Sequence, residues 1–361
     1  VLGHWRSGPG DTGGVDARHA GDERERGGGL CVLTVRDIMR ARERVSRHIV
    51  RTPLVQSDFL SDVTGASVYL KLECLQRQNS FKIRGAMNKV LSLTAEERAK
   101  GVLAVSSGNH GAAVSYCAKL VGIAADVFVP EGTPESKLEK IRRYGANLHI
   151  AGKTYDEAHA IAEGYLATTD RVYVDPASDE TAVAGHGTAG LEMMEDVPVL
   201  DAVLVPVGGG GLITGISLAV KSIRPGVKVI GVQTEACPAM LAALRDNVFY
   251  KDYPSAPSIC DAVVGGIGEI GYAYAPKCID NVVTASEDAV REAMIELVRR
   301  DKVVAEPSGA LGAAYLIENP DAYRGMNVAV VISGGNVDFD FLRREMASYS
   351  EGKRTWGQPP I

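Results

Sequence analysis

Short β-branched runs alternate with longer helical stretches through most of this 361-residue chain, and that rhythm restricts the fold more than any other feature. Residues 68–72, 102–105, 125–129, 202–205, 227–232 and 328–332 read as strands, and 112–121, 135–144, 155–167, 212–223 and 287–300 as helices. Strands that return by way of helices run parallel, and their unbroken apolar runs need cover on both faces. The pattern predicts an α/β fold of parallel sheets covered by helices. Ligands of such sheets bind beyond the carboxyl ends of the strands. Two glycine loops fall there: Ser106-Ser107-Gly108-Asn109-His110-Gly111 after 102–105, and Gly208-Gly209-Gly210-Gly211 after 202–205.

Residues 1–30 are rich in Gly, Arg and Asp without apolar periodicity, which predicts a disordered arm. Residues 351–361 read as a flexible tail. A formal net charge of −6 gives no basic footprint for nucleic acid. No apolar run is long enough for a membrane span, and the first residues lack the apolar core of a secretory signal, so a cytoplasmic location is expected. The six cysteines, at 31, 74, 117, 237, 260 and 278, contain no C-x-x-C pair, so reduced structural thiols are expected rather than a zinc site or redox dithiol. Small molecules and a second copy of the chain are the expected partners.

Four consecutive glycines between a strand and a helix let backbone N–H groups approach an anion, and the helix directs its positive end at the same place. A phosphate cup and a plain tight turn both fit. A dinucleotide fingerprint does not, because Gln233 ends the next strand where a ribose-binding acid would sit. The loop 106–111 suits a substrate carboxylate, with Asn109 able to bond a ring hydroxyl; Ser107 as an ordinary helix cap is the alternative. Lys82 stands between Phe81 and Ile83 at a helix start, where desolvation would lower its amine pKa and favour imine formation; a phosphate-binding point charge is the competing role. Ser333 closes the apolar run 328–332, where its hydroxyl can reach a heteroaromatic nitrogen, and Glu306 enters a helix with its carboxylate above the site. One amine flanked by two glycine loops is what pyridoxal phosphate (PLP) requires.

Asn-Ser-Phe-Lys-Ile-Arg-Gly-Ala at 79–86, the loop 106–111, Gly208 to Gly211, Glu306-Pro307-Ser308 and Ser333-Gly334-Gly335-Asn336 together resemble the fold-type II PLP enzymes, in the threonine/serine dehydratase and serine racemase branch. The resemblance covers about residues 34–346. It implies the two-lobed tryptophan synthase β-like fold with the cofactor between lobes: a large PLP-binding domain of 31–100 and 179–350, and a small domain of 101–178. It makes Lys82 the Schiff-base lysine with Phe81 beside the ring, Asn109 the contact of the ring hydroxyl, Gly208 to Gly211 the phosphate cup and Ser333 the partner of the pyridine nitrogen. The substrate would be held by Ser106, Ser107, Asn109 and His110, with Ala177 and Glu306 nearby, and Ser107 serves the opposite face of the substrate carbon in the racemase. Cysteine synthases differ at the residues that stand here as Arg84 and His110, so elimination is favoured over sulfide addition.

Three departures from the family pattern stand out. Gln233 and Ala239 replace acids of a divalent-ion site, so no metal is expected. Ala177 is small where relatives carry a larger residue, and His186 replaces a glutamine. The implied activity is a PLP-dependent ammonia-lyase for a β-hydroxy-α-amino acid of the threonine/serine class, or a bulky one such as phenylserine. Racemisation and a PLP-binding protein without turnover are the alternatives, and a homodimer is implied by the resemblance.

Overall fold

The computed structural model describes residues 33–349. The arm 1–30, the tail 351–361 and Cys31 lie outside the described residues. In chain order the strands are β1 (Leu54–Gln56), β2 (Ser67–Leu72), β3 (Val102–Val105), β4 (Ala125–Val129), β5 (Asn147–Ile150), β6 (Val172–Tyr173), β7 (Ala202–Pro206), β8 (Lys228–Thr234), β9 (Asn281–Ala285) and β10 (Asn327–Ile332). They form a six-stranded sheet of order β1-β2-β10-β7-β8-β9 and a four-stranded sheet of order β5-β4-β3-β6. Every pairing is parallel except β1 against β2.

The apolar runs are unbroken because both faces of the central strands are covered. Along β10, Val328, Val330 and Ile332 join one core with Leu70, Leu204 and Leu311, while Ala329 and Val331 join another with Val203, Val205 and Ile216. This is the two-residue alternation of a strand buried on both sides. The smaller sheet repeats it: Val102 and Ala104 pack with Ile83, Met87 and Val90, and Leu103 and Val105 with Ala158 and Ala162. The helix Lys82–Ser92 therefore rests its apolar face on the four-stranded sheet.

That helix also lies close against the helix Glu180–Asp196, which in turn meets Gly211–Ile223. A Cβ on Gly185 would stand 2.4 Å from the Arg84 carbonyl oxygen, and one on Gly215 2.4 Å from that of Val183. Only glycine permits this spacing.

The strands read from sequence are all present, within two residues at each end. β1, β5, β6 and β9 were not foreseen; they are short or edge strands with polar, part-exposed positions and lack a continuous apolar run. The helix expected over 287–300 is α-helical only for Glu287–Glu296, and Leu297–Asp301 widens into a π turn from which Arg299 and Arg300 both reach Glu296 (2.8 and 3.2 Å). Among the described residues no helix is long and apolar enough to cross a membrane.

Candidate active site

Strand order decides what meets at the site. β2, β10 and β7 are neighbours and parallel, so the segments leaving their carboxyl ends lie side by side: the one leading to Lys82, the one beginning at Ser333, and the glycine turn. After β2 the chain passes through two short 3₁₀ turns, with Gln78 and Asn79 at positive φ (67° and 55°). It then pairs with the segment leaving β10. Ser80 bridges Gly334, the Phe81 N–H donates to the Ser333 carbonyl (3.0 Å), and the Gly335 N–H to that of Asn79 (2.9 Å). This pairing delivers Lys82 to the first position of its helix, beside Ser333.

The Lys82 Nζ lies 4.9 Å from the Phe81 ring centroid and donates no hydrogen bond to any described residue. Burial pulls its amine down from the usual lysine range to about 8, with Asp175 and Glu306 opposing the fall. Ser333 is 5% exposed, and its hydroxyl is without a partner among the described residues.

The glycine turn is compressed from outside. A Cβ on Gly211 would meet the Pro176 carbonyl oxygen at 2.2 Å, and one on Gly209 the Ala177 methyl at 2.9 Å. Gly210 has φ +91° and precedes the helix Gly211–Ile223, whose first N–H groups have no acceptor within the helix. Gly211→Ala is therefore expected to displace the turn and raise the dissociation constant for PLP by about ten-fold or more, read by titrating apo-protein with cofactor. Unchanged affinity would show that the turn does not bind it.

The loop 106–111 follows β3, and the helix Asn109–Val121 begins three residues earlier than read from sequence. Its N-cap is Gly108, without a side-chain cap, so Ser107 does not fill that position. The Asn109 amide donates to Glu306 Oε1 (2.7 Å) and accepts from the Asn336 amide (2.7 Å). Burial pushes the Glu306 carboxyl up to about 7, while the Asn109 hydrogen bond holds it back.

Two imidazoles hold the segment after β6. His110 Nε2 lies 2.7 Å from the Val174 carbonyl oxygen, and His186 Nε2 3.2 Å from that of Pro176. Burial, with the Lys82 charge adding to it, lowers His110 to about 4 and His186 well below the usual histidine range. Both rings are then neutral and donate from Nε2. The His186 ring also meets Phe81 edge-on at 4.9 Å.

These segments enclose a cavity of about 790 Å³. Phe81, Lys82, Asn109, Ala177, Gly208 to Gly211, Glu306 and Ser333 line it. Ser106, Ser107 and His110 do not; the Ser106 hydroxyl instead accepts from the Gly108 N–H (3.2 Å). Gln233 is buried, with its carboxamide accepting from the Leu241 N–H (3.0 Å). Asp175, Asn336 and the donor role of His186 were missed in the sequence reading. Asp175 follows β6, a two-residue strand with no apolar run to announce it, and Asn336 and His186 act through partners 227 and 10 residues away.

An amine and a hydroxyl that line the cavity without a partner among the described residues, and a turn of bare amides, form a donor set that fits a phosphorylated aromatic aldehyde. A family model for pyridoxal-phosphate dependent enzymes matches residues 45–334. The chain is 43% identical over 314 residues to an L-threonine ammonia-lyase of Thermotoga maritima, covering 87% of this chain and 78% of that one. It is 38% identical over 312 residues to a serine racemase of Arabidopsis thaliana, covering 84% and 93%. The solved structure of the processed form of threonine deaminase isoform 2 from Solanum lycopersicum superposes with a TM-score of 0.82 at 31% identity, covering 87% of this chain and 91% of that one. The family match spans every loop that lines the cavity, and the chain belongs to the pyridoxal-phosphate dependent enzymes.

Proposed function

We propose that the protein is a PLP-dependent ammonia-lyase that dehydrates a β-hydroxy-α-amino acid of the threonine/serine class to a 2-oxo acid and ammonia. The observation that carries this reading is the Lys82 amine: half-buried in the wall of the cavity where the loops converge, without a hydrogen-bond partner among the described residues, and lowered by burial to about 8. Lys82 would hold the cofactor's aldehyde carbon, Gly208 to Gly211 its phosphate, Ser333 its ring nitrogen and Asn109 its ring hydroxyl. The loop 106–110, which reaches the cavity at Asn109 where its helix begins, would take the substrate carboxylate on the free N–H groups of that helix start. When bound, the cofactor supplies the electron sink that makes the substrate Cα–H bond acidic.

With cofactor and substrate bound, Lys82 would be the base placed for that Cα proton, and burial already lowers its amine toward working pH. Asn109, held between Glu306 and Asn336, has its amide fixed in one orientation. Ser333 offers a hydroxyl and no negative charge, so it does not hold a proton on the ring nitrogen; this favours elimination over transamination.

Racemisation is the second reading, favoured by the 38% identity to a serine racemase. It requires a proton donor on the opposite face, the role the family gives Ser107. Ser107 is half-buried two residues before Asn109, so replacing it with alanine tests that role: Ser107→Ala should leave keto-acid formation in place if elimination is the main reaction. A bulky substrate such as phenylserine is supported by the cavity volume and by Tyr155 and Tyr253 in its wall. An aromatic ring buried there would contribute about 2–3 kcal/mol to binding. The Ala177 methyl is less informative: it faces the glycine turn, where a Cβ on Gly209 or Gly268 would meet it at 2.9 Å, so a larger residue would press on that turn. The five described cysteines are free and buried, which supports a reducing, cytoplasmic setting; a homodimer is proposed on family resemblance, for sedimentation to check.

Incubating holoenzyme with L-serine, L-threonine and phenylserine, and measuring both 2-oxo acid and the Cα epimer (D-serine, D-allo-threonine or the corresponding phenylserine diastereomer), separates the readings. Keto acid is expected to exceed epimer from threonine. Epimer without keto acid would establish the racemase, and neither product, despite bound cofactor, a protein without turnover.

A further inference from the structure

Asp175 lies just past β6 and lines the same cavity as Lys82. Its Oδ1 accepts the N–H groups of Ala177 and Ser178, both at 2.7 Å, which fixes the plane of the carboxylate. Its Oδ2 has no hydrogen bond among the described residues, and no lysine or arginine pairs with it. The backbone on either side is pinned, because His110 holds the Val174 carbonyl and His186 that of Pro176. The hydrogen bonds of its own turn thus hold the carboxylate at the cavity wall. Its field reaches the reacting end, since Asp175 is the first charge that opposes the effect of burial on the Lys82 amine.

The rest of the lining holds few groups that could pair with a second substrate carboxylate. Among the described residues that line the cavity there is no arginine; besides Lys82, committed to the cofactor, the basic residues are Lys251, which is solvent-exposed and next to Asp252 in the chain, and His159, whose Nδ1 lies 3.5 Å from Glu163. The described wall thus offers no guanidinium fork for a carboxylate on Cβ, and its other basic residues stand beside acids.

Resting on the dehydratase reading, we propose that Asp175 is a specificity-determining residue: its fixed carboxylate confines the substrates to β-hydroxy amino acids with a neutral or cationic β-substituent and rejects those with an anionic one. L-Threonine and L-threo-3-hydroxyaspartate make the sharpest comparison, because they differ in a methyl against a carboxylate on the same carbon. For two like charges about 6 Å apart, an effective dielectric constant near 20 gives a discrimination of about 100-fold, which sets the scale of the expected effect.

The test uses holoenzyme, parent and Asp175→Asn, the asparagine keeping Oδ1 as acceptor while removing the charge. For each, kcat/KM is measured for the two substrates, and calorimetry gives dissociation constants for butyrate and succinate, which pose the same contrast without reacting. The parent is expected to favour threonine by about 100-fold, and the ratio to fall about ten-fold or more in the variant, with succinate gaining on butyrate to a similar degree. Parent enzyme that turns over hydroxyaspartate within about three-fold of threonine would overturn the proposal without any variant. So would a ratio that is the same in parent and variant. If Asp175→Asn loses its cofactor, Asp175→Ser, which also keeps an acceptor oxygen, replaces it. Absence of keto acid from every substrate would remove the dehydratase reading, while the butyrate and succinate constants would still decide the role of the charge.

Discussion

Lys82→Ala protein should bind no cofactor covalently and lose at least about 10³-fold in kcat/KM for dehydration, because one side chain both attaches the cofactor and moves the Cα proton. Lys82 is the lysine at the point where the segments leaving β2 and β10 pair, and it has no protein partner to occupy its amine. The direction of its pKa also sets a pH signature. Attachment needs the neutral amine; with a folded-state value of about 8 rather than the ordinary 10.5, its neutral fraction falls ten-fold per pH unit below about 8 and is saturated above it. Cofactor uptake by apo-protein, followed by absorbance, should rise with pH and level off near 8. A rate still climbing at pH 10 would mean a solvated, ordinary lysine.

The second large effect is on stability. Behind Lys82, on the other side of the same helix, Arg84 is fully buried and bonds two carboxylates. Its Nε and Nη2 reach Glu73 at 2.7 Å each, and Nη1 and Nη2 reach Glu192 at 2.8 and 2.7 Å. Lys71, also fully buried, donates to Glu192 (2.6 Å) and to the Thr52 carbonyl (2.7 Å). Two cations and two anions balance. Arg84→Met would strand Glu73 and leave Glu192 half-compensated out of water, at a cost of about 3–5 kcal/mol. Urea unfolding at fixed cofactor concentration measures it as a lower midpoint with unchanged slope. Arg51, half-exposed in its pairs with Glu195 and Asp196, is the control, and Arg51→Met should cost less than about 1 kcal/mol. Equal losses in the two variants would contradict the buried-network account.

What was legible in the sequence followed from burial. β3, β4 and β7 are covered on both faces, so their apolar runs stand out, and parallel strands direct their ligand loops to one end. That is why the two glycine loops could be placed at the ligand end of the strands before any coordinate, whereas Lys82 and Ser333 were joined to them by the family resemblance. The Arg84 network was not legible, because Glu73 and Lys71 look like ordinary surface charges on a strand end; only the strand pairing and the contact between helices Lys82–Ser92 and Glu180–Asp196 bury them. His186 reads as a substitution in a motif, yet its effect comes through the Pro176 carbonyl and the Phe81 ring, contacts that no spacing encodes. Ala177 shows the converse: its small size was legible, but its reason, contact with the glycine turn, was not.

Borohydride reduction of the holo-protein, followed by proteolysis and peptide mapping, tests the central claim most directly. The account predicts that the reduced cofactor is carried by Lys82. An adduct on Lys251, the other lysine lining the cavity, or on any other lysine, would contradict it.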